Sequence, residues 1–166
     1  MDYRFRLIDD DGLIVVVSRN AFEREFSQRA FDYLFPRELV LGVRRRWGVP
    51  VPTAGGGGVV DVHLRASAYN AANVAGQAWQ LDLEAEDYLM IVPYSQFTFA
   101  ADGGGVFESI EGLSFAVTGL LPGTYTVTAH SRPARGREGG DAFTEIVLTP
   151  ATAQANLIPD DWSPVI

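Results

Sequence analysis

The chain has no cysteine, no lysine, and only two histidines and two methionines in 166 residues. Without cysteine there is no disulfide framework and no thiolate chemistry. All thirteen basic residues are arginine, a composition that fits a GC-rich coding bias. No apolar run approaches the ~20 residues that span a bilayer. The opening Met1-Asp2-Tyr3-Arg4 lacks the basic head and apolar stretch of a secretory signal, so a cytoplasmic location is expected. The two histidines, His63 and His130, each fall on the polar side of an alternating segment. Nothing in the spacing brings a third group to either, as a catalytic pair requires. The glycine run 55–58 lacks the Gly-Lys-Ser/Thr of a phosphate-binding loop. No zinc spacing and no nucleophile elbow is found. Asp9-Asp10-Asp11-Gly12 lacks the further oxygen ligands and closing Glu of a calcium loop and is read as a turn. No cofactor, no metal and no enzymatic activity are expected.

What is present describes a folded β protein. Hydrophobic residues make up 47% and aromatics 11%, too much for a disordered chain. The length suits one domain with a sizeable core. The net charge of −8 disfavours non-specific nucleic-acid binding and favours basic partners.

Tyr3, Phe5 and Leu7 alternate with Asp2, Arg4 and Arg6, the period-two pattern of a half-buried strand. Asp-Gly then signals a hairpin turn, and residues 13–17 read as a strand buried on both faces. Residues 20–35 read as the one amphipathic helix, with Asn20 as cap, Glu23 at capping-box spacing and Phe22, Phe26, Ala30 and Leu34 on one face. Residues 39–43 read as a short strand. The Arg44-Arg45-Arg46-Trp47 cluster suits either phosphate contact or intramolecular ion pairs, and the acidity of the chain favours the second. Residues 49–58 read as a loop. Val60, Val62 and Leu64 alternate with Asp61, His63 and Arg65 in a second strand, and Trp79, Leu81 and Leu83 with Gln80, Asp82, Glu84 and Glu86 in a third. Residues 94–100 read as a strand with Phe97 and Phe99 inward, and 107–110 as a short one. The tail 151–166 is apolar enough to pack on the body or on a partner.

The Asp82, Glu84, Glu86 series is the best candidate for a partner-binding face. Like-charged neighbours on a strand repel, a cost that a basic partner would remove.

Residues 114–150 read as three strands joined by two turns. Leu113, Phe115 and Val117 alternate; Leu121-Pro122-Gly123-Thr124 is a tight-turn sequence. Tyr125, Val127 and Ala129 alternate again. A polar loop with Arg132, Arg135 and Arg137 leads to the return strand 143–149. The run F-x-V-T-G-L-L-P-G-T-Y-T-V-T resembles the last hairpin of prealbumin-like surface domains. The longer pattern resembles the end of small bacterial β-sandwich proteins of the competence nuclease-inhibitor and immunity type. It runs from Leu121-Pro122-Gly123-Thr124-Tyr125 through Arg135-Gly136-Arg137-Glu138 to Glu145-Ile146-Val147-Leu148-Thr149-Pro150. Thr126, Thr128 and Thr149 depart from that group's usual Arg, Arg and Trp. The resemblance implies inhibition of a nuclease or toxin by contact.

The expected fold is mainly β: a single-domain antiparallel β-sandwich or flattened barrel of eight to ten strands with one amphipathic helix. The expected function is binding of a protein partner, a toxin or nuclease, through Asp82, Glu84, Glu86, Arg132, Arg135 and Arg137. The alternatives are a carbohydrate- or small-ligand-binding sandwich using Trp47, Trp79 and Trp162, or a prealbumin-like structural domain. Homo-oligomerisation stays open.

Overall fold

A computed structural model describes residues 1–31, 37–54, 58–66, 78–107, 110–133, 142–156 and 158. Among these it holds nine strands and three helices in three layers. The first sheet contains β1 (Asp2–Asp9), β4 (Gly58–Ala66), β9 (Ala142–Ala151), β8 (Gly123–Arg132) and β5 (Ala78–Leu83), in that order. The second contains β3 (Gly48–Pro52), β2 (Leu13–Ser18), β6 (Leu89–Pro93) and β7 (Phe115–Val117), again in that order. The helices are α1 (Arg19–Phe26), α2 (Arg37–Arg44) and α3 (Tyr94–Asp102).

Period-two alternation decides what the first sheet buries. Leu7, Val60, Val62, Leu64, Leu81, Val127, Ile146 and Leu148 meet Ile14, Val16, Val51, Leu89, Ile91 and Val117 of the second sheet in one core. β2 is apolar at every position but its last, and all six residues are buried. Its other face, Leu13, Val15 and Val17, packs with Phe22, Phe26, Leu39, Trp47 and Phe97 of the helical layer and the turn after α2. The central strand of the smaller sheet is therefore covered on both sides, which is why it has no polar alternation.

The mainly-β, two-sheet expectation holds, with corrections. The sandwich is mixed, because β4 and β9 run parallel from Val60↔Ala142 to Ala66↔Leu148. The Asp-Gly turn does not make a hairpin. β1 pairs with β4 and β2 with β3 and β6, so the turn carries the chain from one sheet to the other. Asp9 fixes that crossing from a buried position. Its Oδ1 accepts the Leu13 N–H at 3.1 Å and its Oδ2 accepts the Thr53 hydroxyl at 2.6 Å. The same holds at Leu121-Pro122-Gly123, since β7 pairs with β6 and β8 with β5 and β9.

Three helices replace the expected one. α1 ends at Phe26, short of the expected 35, and residues 32–36 lie outside the described set. Asn20 is inside the helix rather than capping it. The expected strand 39–43 is α2, which buries Glu38, Leu39, Gly42 and Val43 on one face. The expected strand 94–100 is α3, with Phe97 buried and Phe99 exposed. The expected loop at 49 begins as β3, with Val49 and Val51 in the core. No strand forms at the described residues of 107–110.

Candidate functional site

The acidic series does not form one row. β5 stops at Leu83, so only Asp82 lies on a strand. Asp82 receives Arg46 at 2.8 Å and the Thr124 hydroxyl at 2.7 Å. Glu84 is held by both terminal nitrogens of Arg24, at 3.1 and 2.6 Å. That hydrogen bonding holds the Glu84 carboxyl below its ordinary range and raises the Arg24 guanidinium. Glu86 sits in a turn at φ 62°. Arg45 completes the set by binding Glu25 at 2.8 Å. Among the described residues Arg46–Asp82 is the ion pair between the triplet and the acidic series, while Glu84 is paired with Arg24 and Arg45 with Glu25, all around a cleft of about 250 Å³.

The edge of β5 is also closed. Asn156 Oδ1 accepts the Gln80 N–H at 2.8 Å, and its Nδ2 donates to the Gln80 carbonyl at 2.8 Å. The Asp82 N–H donates to the Arg46 carbonyl at 2.8 Å. The tail begins to dock here, and Ile158 packs against the inter-sheet core. Leu157 and residues 159–166 lie outside the described set.

Arg132 points elsewhere. It lies at the far end of β8, eight residues beyond Thr124, which pairs with Asp82. That is about 27 Å of strand. Arg135 and Arg137 lie outside the described residues. The register places side chains across the face of the five-stranded sheet that points away from the core. One row is Arg4, His63, Glu145, His130; the next is Arg6, Asp61, Phe143, Arg132. Arg132 stacks over the Phe143 ring at 4.6 Å. Arg6 binds Asp61 at 2.7 Å. His63 Nε2 lies 2.8 Å from Asp2 Oδ1, and this contact holds the Asp2 carboxyl below its ordinary value. Arg65 binds Glu145 at 2.6 Å.

Arg4, Arg6, Asp61, His63, Arg132 and Phe143 line an open depression of about 560 Å³, together with Phe5 and Val62. Among the described residues three guanidinium groups and one carboxylate, Asp61, line it, on a chain that is acidic overall. Arg4 and Arg132 are exposed, and among the described residues neither has a carboxylate within ion-pair distance. Sequence reasoning singled out Arg132 but missed Arg4, Arg6 and Phe143. They were visible only as the alternate positions of ordinary strands, and register alone brings them together.

Among the described residues no group of three or more His, Asp or Glu side chains is placed to hold a metal ion. No helix among them is long and apolar enough to cross a membrane. Trp47 and Trp79 are buried, so neither offers a ring to a sugar; Trp162 lies outside the described residues. A cavity of about 180 Å³ between the sheets is lined by Val49, Pro52, Trp79, Val127 and Ser131, among others. It is smaller than the ~300–1,000 Å³ of typical small-ligand sites. The Ser131 hydroxyl there already donates to the Pro52 carbonyl at 2.7 Å.

No protein-family model matches the chain, and no curated protein matches it. A solved structure titled "Crocagin biosynthetic gene J" is similar in fold, with a TM-score of 0.52 and 16% identity, covering 92% of this chain and 99% of that one. At that identity the likeness concerns the fold alone.

Proposed function

We propose that this protein is a non-catalytic binding module that engages an acidic segment of a protein partner on the outer face of its five-stranded sheet. The observation that carries the reading is the depression lined by Arg4 and Arg132, which among the described residues have no carboxylate within ion-pair distance, beside the Phe143 ring. Its volume of about 560 Å³ falls within the range of binding sites. Arginine and an aromatic ring together suit carboxylates, because the guanidinium fork binds them bidentately.

The inhibitor role implied by the C-terminal resemblance belongs to the same class, contact with a protein. The acidic series is a poorer surface for it. A basic partner would have to displace Arg24 from Glu84 and Arg46 from Asp82. Contact through Arg132 displaces nothing comparable.

The test is fluorescence anisotropy with two labelled eight-residue peptides, alternating Glu–Val and alternating Lys–Val. They are titrated with wild type and with an Arg4→Glu, Arg132→Glu double variant, at low and physiological ionic strength. Wild type is expected to bind the Glu peptide, with weakening by salt and by the double variant, and to ignore the Lys peptide. Preference for the Lys peptide, retained by an Arg4→Glu, Arg132→Glu chain, would restore the acidic series as the interface.

A further inference from the structure

The two edges of the five-stranded sheet are treated differently. β5 is closed by Asn156 and by the Arg46 carbonyl. On β1, the opposite edge, the Ile8 N–H donates to the Gly112 carbonyl, and among the described residues nothing pairs with Arg4 on the side away from β4. In an antiparallel pair, alternate residues exchange hydrogen bonds and the others point their N–H and C=O away from the partner strand. The Ala66 N–H donates to the Met1 carbonyl, and Asp2 is opposite Arg65. The odd residues of β1 therefore face β4, and Asp2, Arg4, Arg6 and Ile8 turn their backbone groups away from it. Ile8 confirms the phase, since its N–H donates to the Gly112 carbonyl at 2.7 Å. Among the described residues no hydrogen bond reaches the outward N–H and C=O of Arg4.

The side chains flanking this open stretch sort by face. Arg4 and Arg6 project to the outer face. On the inner side, Tyr3 and Phe5 are half-buried against Phe115 of β7. Phe5 stacks on Phe115 with centroids 3.9 Å apart, and Tyr3 meets its edge at 5.5 Å. β1 and β7 are the edge strands of the two sheets on the same side of the sandwich, so these rings sit between two edges.

We infer that β1 is the docking edge for an extended segment of a partner protein. That segment adds as a sixth strand beside Arg4, with an acidic side chain toward Arg4 and apolar ones toward Tyr3, Phe5 and Phe115. This deepens the proposed function and rests on it. The backbone pairing is the general mode of strand addition. The charge of Arg4, which among the described residues has no carboxylate within ion-pair distance, selects an acidic occupant, and the aromatic trio selects alternation.

The experiment uses the full chain and the eight-residue alternating Glu–Val peptide, read by amide hydrogen exchange in NMR and by anisotropy. A companion peptide carries N-methyl groups at alternate backbone positions, which block strand pairing and leave the charge. The expected result is exchange at the Arg4 amide slowed at least about tenfold by the parent peptide. The N-methylated peptide should bind about tenfold or more weaker. Arg4→Pro removes an edge donor without touching the β4 ladder, and should lose more affinity than Arg4→Ala. Equal binding of both peptides with unchanged Arg4 exchange overturns strand addition and leaves the acidic-ligand reading standing. No binding of either peptide overturns both. Slowed Arg4 exchange in the free protein that grows with protein concentration assigns the edge to a second copy and overturns the inference.

Discussion

Asp87 caps a helix that begins 68 residues before it in the chain: its Oδ1 accepts the Asn20 N–H at 2.9 Å, with the two residues 67 apart. Its Oδ2 takes the Ser18 hydroxyl at 2.5 Å. Ser18 stands at the N-cap position without capping through its own side chain. The carboxylate after β5 thus satisfies an orphan N–H of α1 and ties the helix to the start of β6. Asp87→Ala is expected to cost about 2 kcal/mol, for a lost charged cap and a buried hydroxyl left without an acceptor. Asp87→Asn keeps one acceptor and should recover part of this. Urea unfolding of the three proteins checks the order.

Arg29 joins α1 to α2. It donates to buried Glu38, with Nη1 at 2.7 Å from Oε1, and to Glu25 at 2.8 Å, and it covers the Phe26 ring at 4.6 Å. Removing the guanidinium leaves the Glu38 carboxylate buried and unsatisfied on that side. Arg29→Ala should destabilise by about 3 kcal/mol, the low end for a broken buried pair, because the arginine keeps a third of its exposure. Arg29→Ala with Glu38→Leu should be less unstable than Arg29→Ala alone. Denaturant midpoints of the single and double variants decide this.

Tyr94 opens α3 and is half-buried. Burial, then the charges of Asp11 and Glu38, push its hydroxyl above the ordinary value of 10.0. The folded state therefore holds a proton that the unfolded chain releases near pH 10. The stabilising contribution is fully present below pH 10 and is lost as pH rises through the folded value. Tyr94→Phe is expected to flatten the fall in stability above pH 10. Thermal midpoints across that range, wild type against variant, provide the check.

Gly105 lies against α1. A Cβ built there would sit 2.7 Å from the Glu23 Cα, and its φ is +87°. Both the backbone conformation and the contact exclude a side chain. Gly105→Ala should cost roughly 2 kcal/mol or more, since strain and a shift of α1 add. Gly104, at φ +82° with open space around it, should lose only about 1 kcal/mol on the same change. Calorimetric melting of the two variants separates the clash from the conformational cost.

The strands of the large sheet were legible because each buries one face only. Tyr3, Phe5 and Leu7, or Trp79, Leu81 and Leu83, write their burial directly into the sequence. The pairing was not legible. Asp-Gly and Pro-Gly turns state that the chain bends, and both turn here from one sheet into the other. α2 and α3 were hidden because a short apolar segment satisfies both periods. Leu39 and Val43 fit a helix face as well as a strand. The acidic series was visible as charge, but its neutralisation was not, because Arg24 lies 60 residues from Glu84. The cationic depression depends on the parallel register of β4 and β9, which sets Asp61 beside Phe143.

That register also dictates an order in time. β4 is complete when the ribosome reaches Ala66, yet its second neighbour ends only at Ala151. During translation β1 and β4 can pair, but the sheet they begin has no middle until β9 has been made. Long-range parallel pairing is slow to form, so the nascent protein carries an unfinished apolar sheet from β4 until β9. A chain that stops before β9 lacks the strand that joins β4 to β8.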